Sequence, residues 1–145
     1  MQLSLHFSLE ELVHSDTAER RGIKNVPDQT VLTNLAVLAE HLEEIRDILG
    51  GLPITVLSGF RCAALNSLVG GSPLSDHMKG LAADILCRDF GSPFQVATKL
   101  ANSGLKFDQL IQEGSWVHIS FREPPRRQIL TATFKDGRAI YSNGL

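Results

Sequence analysis

The first half of the chain has apolar residues at the spacing of helices. The longest such stretch has apolar side chains three or four positions apart on one face: Val31, Leu35, Leu38, Leu42, Ile45 and Leu49. This spacing predicts the main core helix, which Gly50 and Gly51 should end because glycine readily adopts the conformation that closes a helix. Upstream, Ser8 and Glu11 fit a capping box and predict a short helix to about Thr17 or beyond.

The second half has the short apolar runs that are typical of strands. Strands are predicted at residues 54–57, 81–86, 107–112, 116–121, 129–134 and 139–141, with helices at 63–69 and 93–102. Helices dominate the first half and antiparallel strands the second, without repeats or a linker. We therefore predict one α+β domain, residues 1–145, in which helices pack on a small antiparallel sheet.

Composition and charge exclude several classes of partner. Hydrophobic residues are 43% and charged residues 21% of the chain, which is ordinary for a globular protein. A formal net charge of -2 argues against nucleic acid. No apolar run is long enough for a membrane span and no export signal is evident. We expect a monomer that is synthesised in the cytoplasm, with Cys62 and Cys87 reduced and buried.

Two histidines and an aspartate could bind a metal ion. His77 and Asp84 lie close in sequence, and His118 follows on a later predicted strand. Two imidazoles and a carboxylate would give zinc three ligands and leave a fourth position open, which is typical of catalytic sites. Water at an open position has its pKa lowered to about 7 and becomes a nucleophile at neutral pH. Unrelated surface groups also show such spacing, so spacing alone does not decide between these interpretations.

Several motifs occur together in an order that resembles one peptidase family. They are Ser58-Gly59-Phe60-Arg61, Asn66, Val69-Gly70-Gly71-Ser72, Ser75-x-His77-x-x-Gly80-x-Ala82-Ala83-Asp84 and Trp116-Val117-His118. This set resembles the zinc D-Ala-D-Ala carboxypeptidase and L-alanyl-D-glutamate endopeptidase family, whose fold is similar to that of hedgehog signalling domains. Residues 7–27 also resemble the opening of its phage and prophage branch. The resemblance extends to about Ser120.

The resemblance implies a function and a set of site residues. It implies that His77, Asp84 and His118 bind one zinc ion per chain. It also implies that the substrate is the stem peptide of bacterial peptidoglycan, cut at an L-Ala-D-Glu or a terminal D-Ala-D-Ala bond. The expected protein is a phage or prophage lysin that acts on the cell wall after release or delivery. A catalytically silent binding module and a structural virion component are the alternatives.

Glu113 is the predicted general base. A tight turn after Glu113 would place it on the same face of the sheet as Trp116 and His118, where it could accept a proton from the attacking water. In part of the family the glutamate stands three residues before the last histidine, at the position of Ser115. Asp108 is therefore the alternative base.

Other polar side chains near these motifs have more than one possible role. The resemblance places Arg61 at the substrate, where it could bind a carboxylate or stabilise the oxyanion, and a surface ion pair is the alternative. Ser75 could bind the substrate backbone or cap the local turn. Asp76 is predicted to be solvated or to support a ligand, because adjacent extended residues face opposite ways. Trp116 could line a groove or pack in the core.

Overall fold

The computed structural model describes all 145 residues and confirms the predicted α+β class. The helices are α1 (Leu9–Val13), α2 (Asp16–Arg21), α3 (Gln29–Ile48), α4 (Ala63–Leu68) and α5 (Pro93–Ala101), with a 3-10 helix at Asp76–Lys79. The strands are β1 (Thr55–Ser58), β2 (Ala82–Leu86), β3 (Gln109–Gln112), β4 (Val117–Ser120), β5 (Gln128–Lys135) and β6 (Arg138–Asn143).

The six strands form one sheet in the order β1-β2-β4-β3-β5-β6. β3 pairs antiparallel with β4, and β5 pairs antiparallel with β6. β5, however, runs parallel to β3, so the sheet is mixed and the wholly antiparallel sheet that we predicted is wrong in this respect. The parallel pairing begins where the N–H of Gln128 donates to the carbonyl of Asp108. β4 ends and β5 begins beside Gln109, so the chain between them crosses the start of β3 to reach its other side.

The N-terminal helices are shorter than predicted because each has its own serine cap. Ser8 Oγ accepts a hydrogen bond from the N–H of Glu11, which is one of the two bonds of the predicted capping box. α1 then ends at an extended His14, and Ser15 Oγ accepts from the N–H of Ala18 to begin α2. Two short helices thus replace the single one that was predicted.

The main helix, α3, agrees with its prediction. The predicted apolar face is buried, and five of its side chains have no exposed surface: Leu35, Leu38, Leu42, Ile45 and Leu49. Gly50, with φ 83°, follows the helix in the left-handed conformation. No helix combines the length and the apolar character needed to cross a membrane.

The chain divides into two compact units. One consists of Met1–Glu43 and Ser58–Ala83 and contains α1, α2, α4 and the 3-10 helix. The other consists of Glu44–Leu57 and Asp84–Leu145 and contains α5 and β3 to β6. That residues 1–145 form a single domain stays a prediction. Both cysteines are free thiols; Cys87 is buried as predicted, whereas Cys62 is half-buried.

Candidate metal centre

His77 is held in the 3-10 helix with one ring nitrogen already bound. Ser75 Oγ accepts a hydrogen bond from the N–H of His77, and Gly80 closes the turn at φ 72°. The side chain is buried, and its Nδ1 lies 2.6 Å from the carbonyl oxygen of Gly59. A carbonyl only accepts hydrogen bonds, so Nδ1 carries the proton and Nε2 is the ring nitrogen that could bind a metal ion.

The segment that accepts this bond is itself fixed by close backbone contacts. The N–H of Phe60 donates to the carbonyl of Leu12 over 2.8 Å, and the N–H of Arg61 donates to the carbonyl of His77 over 3.1 Å. A Cβ at Gly59 would lie 2.3 Å from the Leu12 oxygen, far inside normal contact distance. Only glycine therefore allows the approach that positions His77.

Asn25 ties the same segment to the N-terminal helices. Its Nδ2 donates to the carbonyls of Phe60 and Val13, and its Oδ1 accepts from the N–H of Cys62. Arg61 lies between these bonded positions and is half-buried. The backbone of Arg61 is thus held on both sides, while its contact with substrate stays a prediction.

Asp84 and His118 lie on strands β2 and β4. Asp84 is buried, and His118 is largely buried. His118 Nδ1 lies 3.0 Å from Asp84 Oδ1. Two ligand atoms at the usual bond lengths of about 2.0–2.1 Å from a tetrahedral zinc ion lie about 3.3 Å apart. The observed separation therefore fits a pair of neighbouring ligands.

The three predicted ligands come together in the structure. His77, Asp84 and His118 each offer one ligand atom, and these atoms all lie within 4.8 Å of one another. Two imidazole nitrogens and one carboxylate oxygen are a donor set that suits zinc and leaves a fourth position for water or substrate. The residues present therefore fit the ion that the resemblance implies.

A second group of possible ligands has a different character. It consists of three exposed side chains at the start of α2: His14, Asp16 and Glu19. Exposed acidic groups near a histidine are common without a metal ion, and no buried donor supports this group. We assign it no function.

Glu113 lies at the end of β3, where its backbone continues the pairing with β4. Gln112 aligns with Val117, and the N–H of Glu113 donates to the carbonyl of Trp116 over 3.0 Å. Directly opposed residues share a face, and so do residues two apart on a strand. Glu113 thus shares a face with Trp116 and His118, as the predicted base should, and its role as base stays a prediction.

Asp108, the alternative base, is engaged in an ion pair. It is fully buried, and its carboxylate accepts from Nε and Nη2 of Arg126 over 2.9 and 2.8 Å. These hydrogen bonds hold the pKa of Asp108 below its ordinary value. A carboxylate whose charge is stabilised in this way is a weak proton acceptor, so the structure favours Glu113 over Asp108.

The residues just before and beside His77 have local structural contacts. Ser75 caps the 3-10 helix, which is the second of the two roles that we considered. Asp76 is buried, so the first of its two predicted roles, a solvated side chain, is wrong, while support of a ligand stays a prediction. Its carbonyl accepts from the N–H groups of Gly80 and Leu81. The argument from strand alternation failed because these residues are helical rather than extended.

Sequence reasoning missed Tyr141, on β6. Burial, and then the negative charges of Glu113 and Asp84, raise the pKa of its phenol. The strand that carries it was predicted, but its pairing with Ala132 is set by the hairpin register, and no functional motif includes it. The support by Asn25 was missed because this residue lies in the segment 7–27, to which the resemblance assigns no physical role.

Comparison with known proteins identifies the family. The family model described as Peptidase M15 matches residues 5–120. The chain belongs to the peptidase M15 family. Membership confirms the predicted family and the predicted enzyme class, a zinc metallopeptidase.

One curated relative is a zinc D-Ala-D-Ala carboxypeptidase of Streptomyces albus G. It is 45% identical over 56 residues, which are 39% of this chain and 22% of the relative. The chain thus matches only about a fifth of that relative's length.

Proposed function

We propose that this M15 peptidase hydrolyses a peptide bond in the stem or cross-bridge peptides of bacterial peptidoglycan. The observation that carries the proposal is the group of His77, Asp84 and His118, whose ligand atoms lie within 4.8 Å of one another. The carboxypeptidase named among the relatives supports the choice of a D-amino-acid-containing substrate.

Each of the three residues would hold zinc through a particular atom. Nδ1 of His77 is bound to Gly59, so this residue would use Nε2. Asp84 Oδ1 and His118 Nδ1 are within hydrogen-bond distance of each other. Zinc would replace the proton between these two atoms, since metal ligands must be deprotonated. When bound, zinc acts as a Lewis acid that lowers the pKa of water and polarises the substrate carbonyl.

Glu113 would transfer the proton of the attacking water, and Arg61 would stabilise negative charge on the substrate. Glu113 accepts the proton of the attacking water as the oxygen forms its bond to the carbonyl carbon. It returns that proton to the leaving amine when the carbon–nitrogen bond breaks. The guanidinium of Arg61 stabilises the oxyanion or binds a substrate carboxylate.

We further propose that the protein serves as a phage or prophage lysin. The support is the similarity of residues 7–27 to the opening of that branch of the family. A lysin meets its substrate outside the cytoplasmic membrane, so the chain would act on the wall after release or delivery.

Digestion of purified peptidoglycan tests the proposed reaction. We expect the wild type to release fragments whose new ends, identified by mass spectrometry, show cleavage at L-Ala-D-Glu or at D-Ala-D-Ala. Glu113→Gln should keep zinc and fold but lose about a hundredfold to ten-thousandfold in rate, the usual contribution of a general base. Asp136→Asn, which neutralises an exposed carboxylate at the β5–β6 turn, should leave the rate unchanged.

Two outcomes would contradict the proposal. Full activity of Glu113→Gln would remove Glu113 from the mechanism. A folded, zinc-loaded wild type that releases no fragments would instead favour the binding-module alternative.

A further inference from the structure

A row of aligned residues leads across the sheet from Glu113 to the C-terminal hairpin. Ala132 on β5 is directly opposite Tyr141 on β6. Gln112 is aligned with Thr131 on β5, and continuing that register by one residue brings Glu113 beside Ala132. Aligned residues of neighbouring strands share a face. Glu113, Ala132 and Tyr141 are therefore on one face, in that order.

Ala132, which lies between Glu113 and Tyr141, is small enough to leave space for the tyrosine side chain on the Glu113 side. Ala132 is buried and contributes only a methyl group. Neighbouring strands lie about 4.8 Å apart, a distance that the length of a tyrosine side chain exceeds. A larger residue at position 132 would fill the space over β5. The small residue thus lets the Tyr141 ring extend over β5.

Electrostatics place the phenol near the candidate metal centre. After burial, the charges of Glu113 and Asp84 are what raise the pKa of Tyr141. A phenol is protonated at neutral pH even at its ordinary pKa of about 10, so the hydroxyl is a donor. Tyr141 is nevertheless 53% exposed, so a ligand can contact it.

Two donors on this face have no acceptor within the chain. The Tyr141 hydroxyl makes no hydrogen bond to any of residues 1–145. The indole Nε1 of Trp116, opposite Glu113, is buried without a hydrogen-bond partner. Tyr141 is the exposed one of the two, so a ligand that brings acceptors can reach its hydroxyl. A peptide backbone supplies such acceptors.

We propose that Tyr141 is a substrate-binding residue whose hydroxyl donates a hydrogen bond to a backbone carbonyl of the peptide lying beside Glu113. This inference rests on the proposed function. A neutral carbonyl suits the position because it accepts this bond without placing a second anion beside Glu113. Tyr141 also lies beyond residues 5–120, the part of the chain that the family match covers.

Tyr141→Phe tests the inference, because it removes the hydroxyl and keeps the ring. With a synthetic stem pentapeptide that contains both candidate bonds, we expect KM to rise about three- to tenfold, the range for one neutral hydrogen bond. kcat and zinc content should stay near wild type, since ground-state binding is what changes. Ser142→Ala is the matched control, because it removes a hydroxyl from the adjacent residue on the opposite face.

A binding measurement separates this inference from the proposed reaction. In the Glu113→Gln background, the fluorescence of Trp116, the only tryptophan, reports the Kd of the same peptide without turnover. Adding Tyr141→Phe should raise that Kd by the same three- to tenfold factor. An inert wild type whose peptide Kd still depends on Tyr141 would refute the reaction but retain the binding role.

Three results would overturn the role of Tyr141. One is an active wild type with KM and Kd unchanged in Tyr141→Phe. Another is a fall in kcat at constant KM, which would mean that the phenol acts on Glu113 rather than on the substrate. The third is a Ser142→Ala variant that loses affinity as much as Tyr141→Phe does, which would point to damage of the hairpin.

Discussion

At the scale of single residues, hydrogen bonds within the chain hold His77 in place at the candidate metal centre. His77 donates from Nδ1 to the carbonyl of Gly59, and the N–H of Arg61 returns a bond to His77. Asn25 holds the next residues of the same segment. Such bonds set the orientation of the ring and the nitrogen that faces the metal. They explain why a glycine and an asparagine accompany the ligand motif.

The first prediction at this scale concerns metal content. We expect one zinc per wild-type chain and none in His77→Ala, because two remaining ligands hold zinc much more weakly than three. His14→Ala is the control, since His14 belongs to the exposed group that we assign no function. Metal analysis of the purified variants measures both. Full zinc in His77→Ala, or its loss in His14→Ala, would place the ion elsewhere.

At the scale of elements, an ion pair anchors the start of β3. The carboxylate of Asp108 accepts three bonds from Arg126, one from the backbone N–H and two from the guanidinium. The neighbouring Arg127 caps the end of α5 through the carbonyls of Ala101 and Ser103, and its guanidinium lies over the ring of Phe107. These contacts fix the connection that returns the chain to pair β5 parallel with β3.

This pair predicts a defined dependence of stability on pH. The folded state lowers the pKa of Asp108 below its ordinary value of 3.8. The ionised carboxylate therefore stabilises the fold above that value, and the contribution is lost as pH falls through the lowered pKa. Asp108→Asn should reduce the free energy of unfolding by about 1.5–3 kcal/mol at pH 7. Urea titrations should show this difference shrinking below about pH 4, and a constant difference would exclude the ion pair as its source.

Elements with a strong local signal could be predicted from the sequence. The apolar spacing of α3 and the serine cap of α1 depend on neighbouring residues, and both are confirmed. The parallel pairing of β3 with β5 could not be predicted in the same way. It depends on where a distant segment returns, and the strand pattern of Gln128–Lys135 is compatible with either direction.

Site residues that belong to a sequence motif could be predicted, whereas the contacts of residues outside the motifs could not. The motifs indicated that His77, Asp84 and His118 lie close together, and they do, although no local periodicity connects them. Asp108 was ambiguous because nothing in the sequence indicates that Arg126 binds it. Tyr141 was missed because its proximity to Glu113 arises from the register of three strands, which single-sequence patterns do not specify.

At the scale of the whole molecule, the proposed function depends on which side of the membrane the protein occupies. Peptidoglycan lies outside the cytoplasmic membrane, and no helix of this chain could cross that membrane. If the zinc centre hydrolyses stem peptides, the same folded chain should be harmless or lethal according to its location. Damage to the cell wall would then indicate both that peptidoglycan is the substrate and that the reaction is hydrolysis.

The last prediction uses this dependence. Expressed alone in a bacterial cytoplasm, the 145-residue chain should leave growth unchanged, because its substrate is out of reach. Fused to an export signal, it should weaken the wall and lyse the cells, as measured by turbidity and by release of a cytoplasmic marker. The exported His118→Ala fusion should be tolerated, because it lacks one of the three predicted zinc ligands. Equal export of both fusions must be verified by immunoblot. Lysis by the His118→Ala fusion at the wild-type rate would show that the damage comes from export itself and not from zinc-dependent hydrolysis.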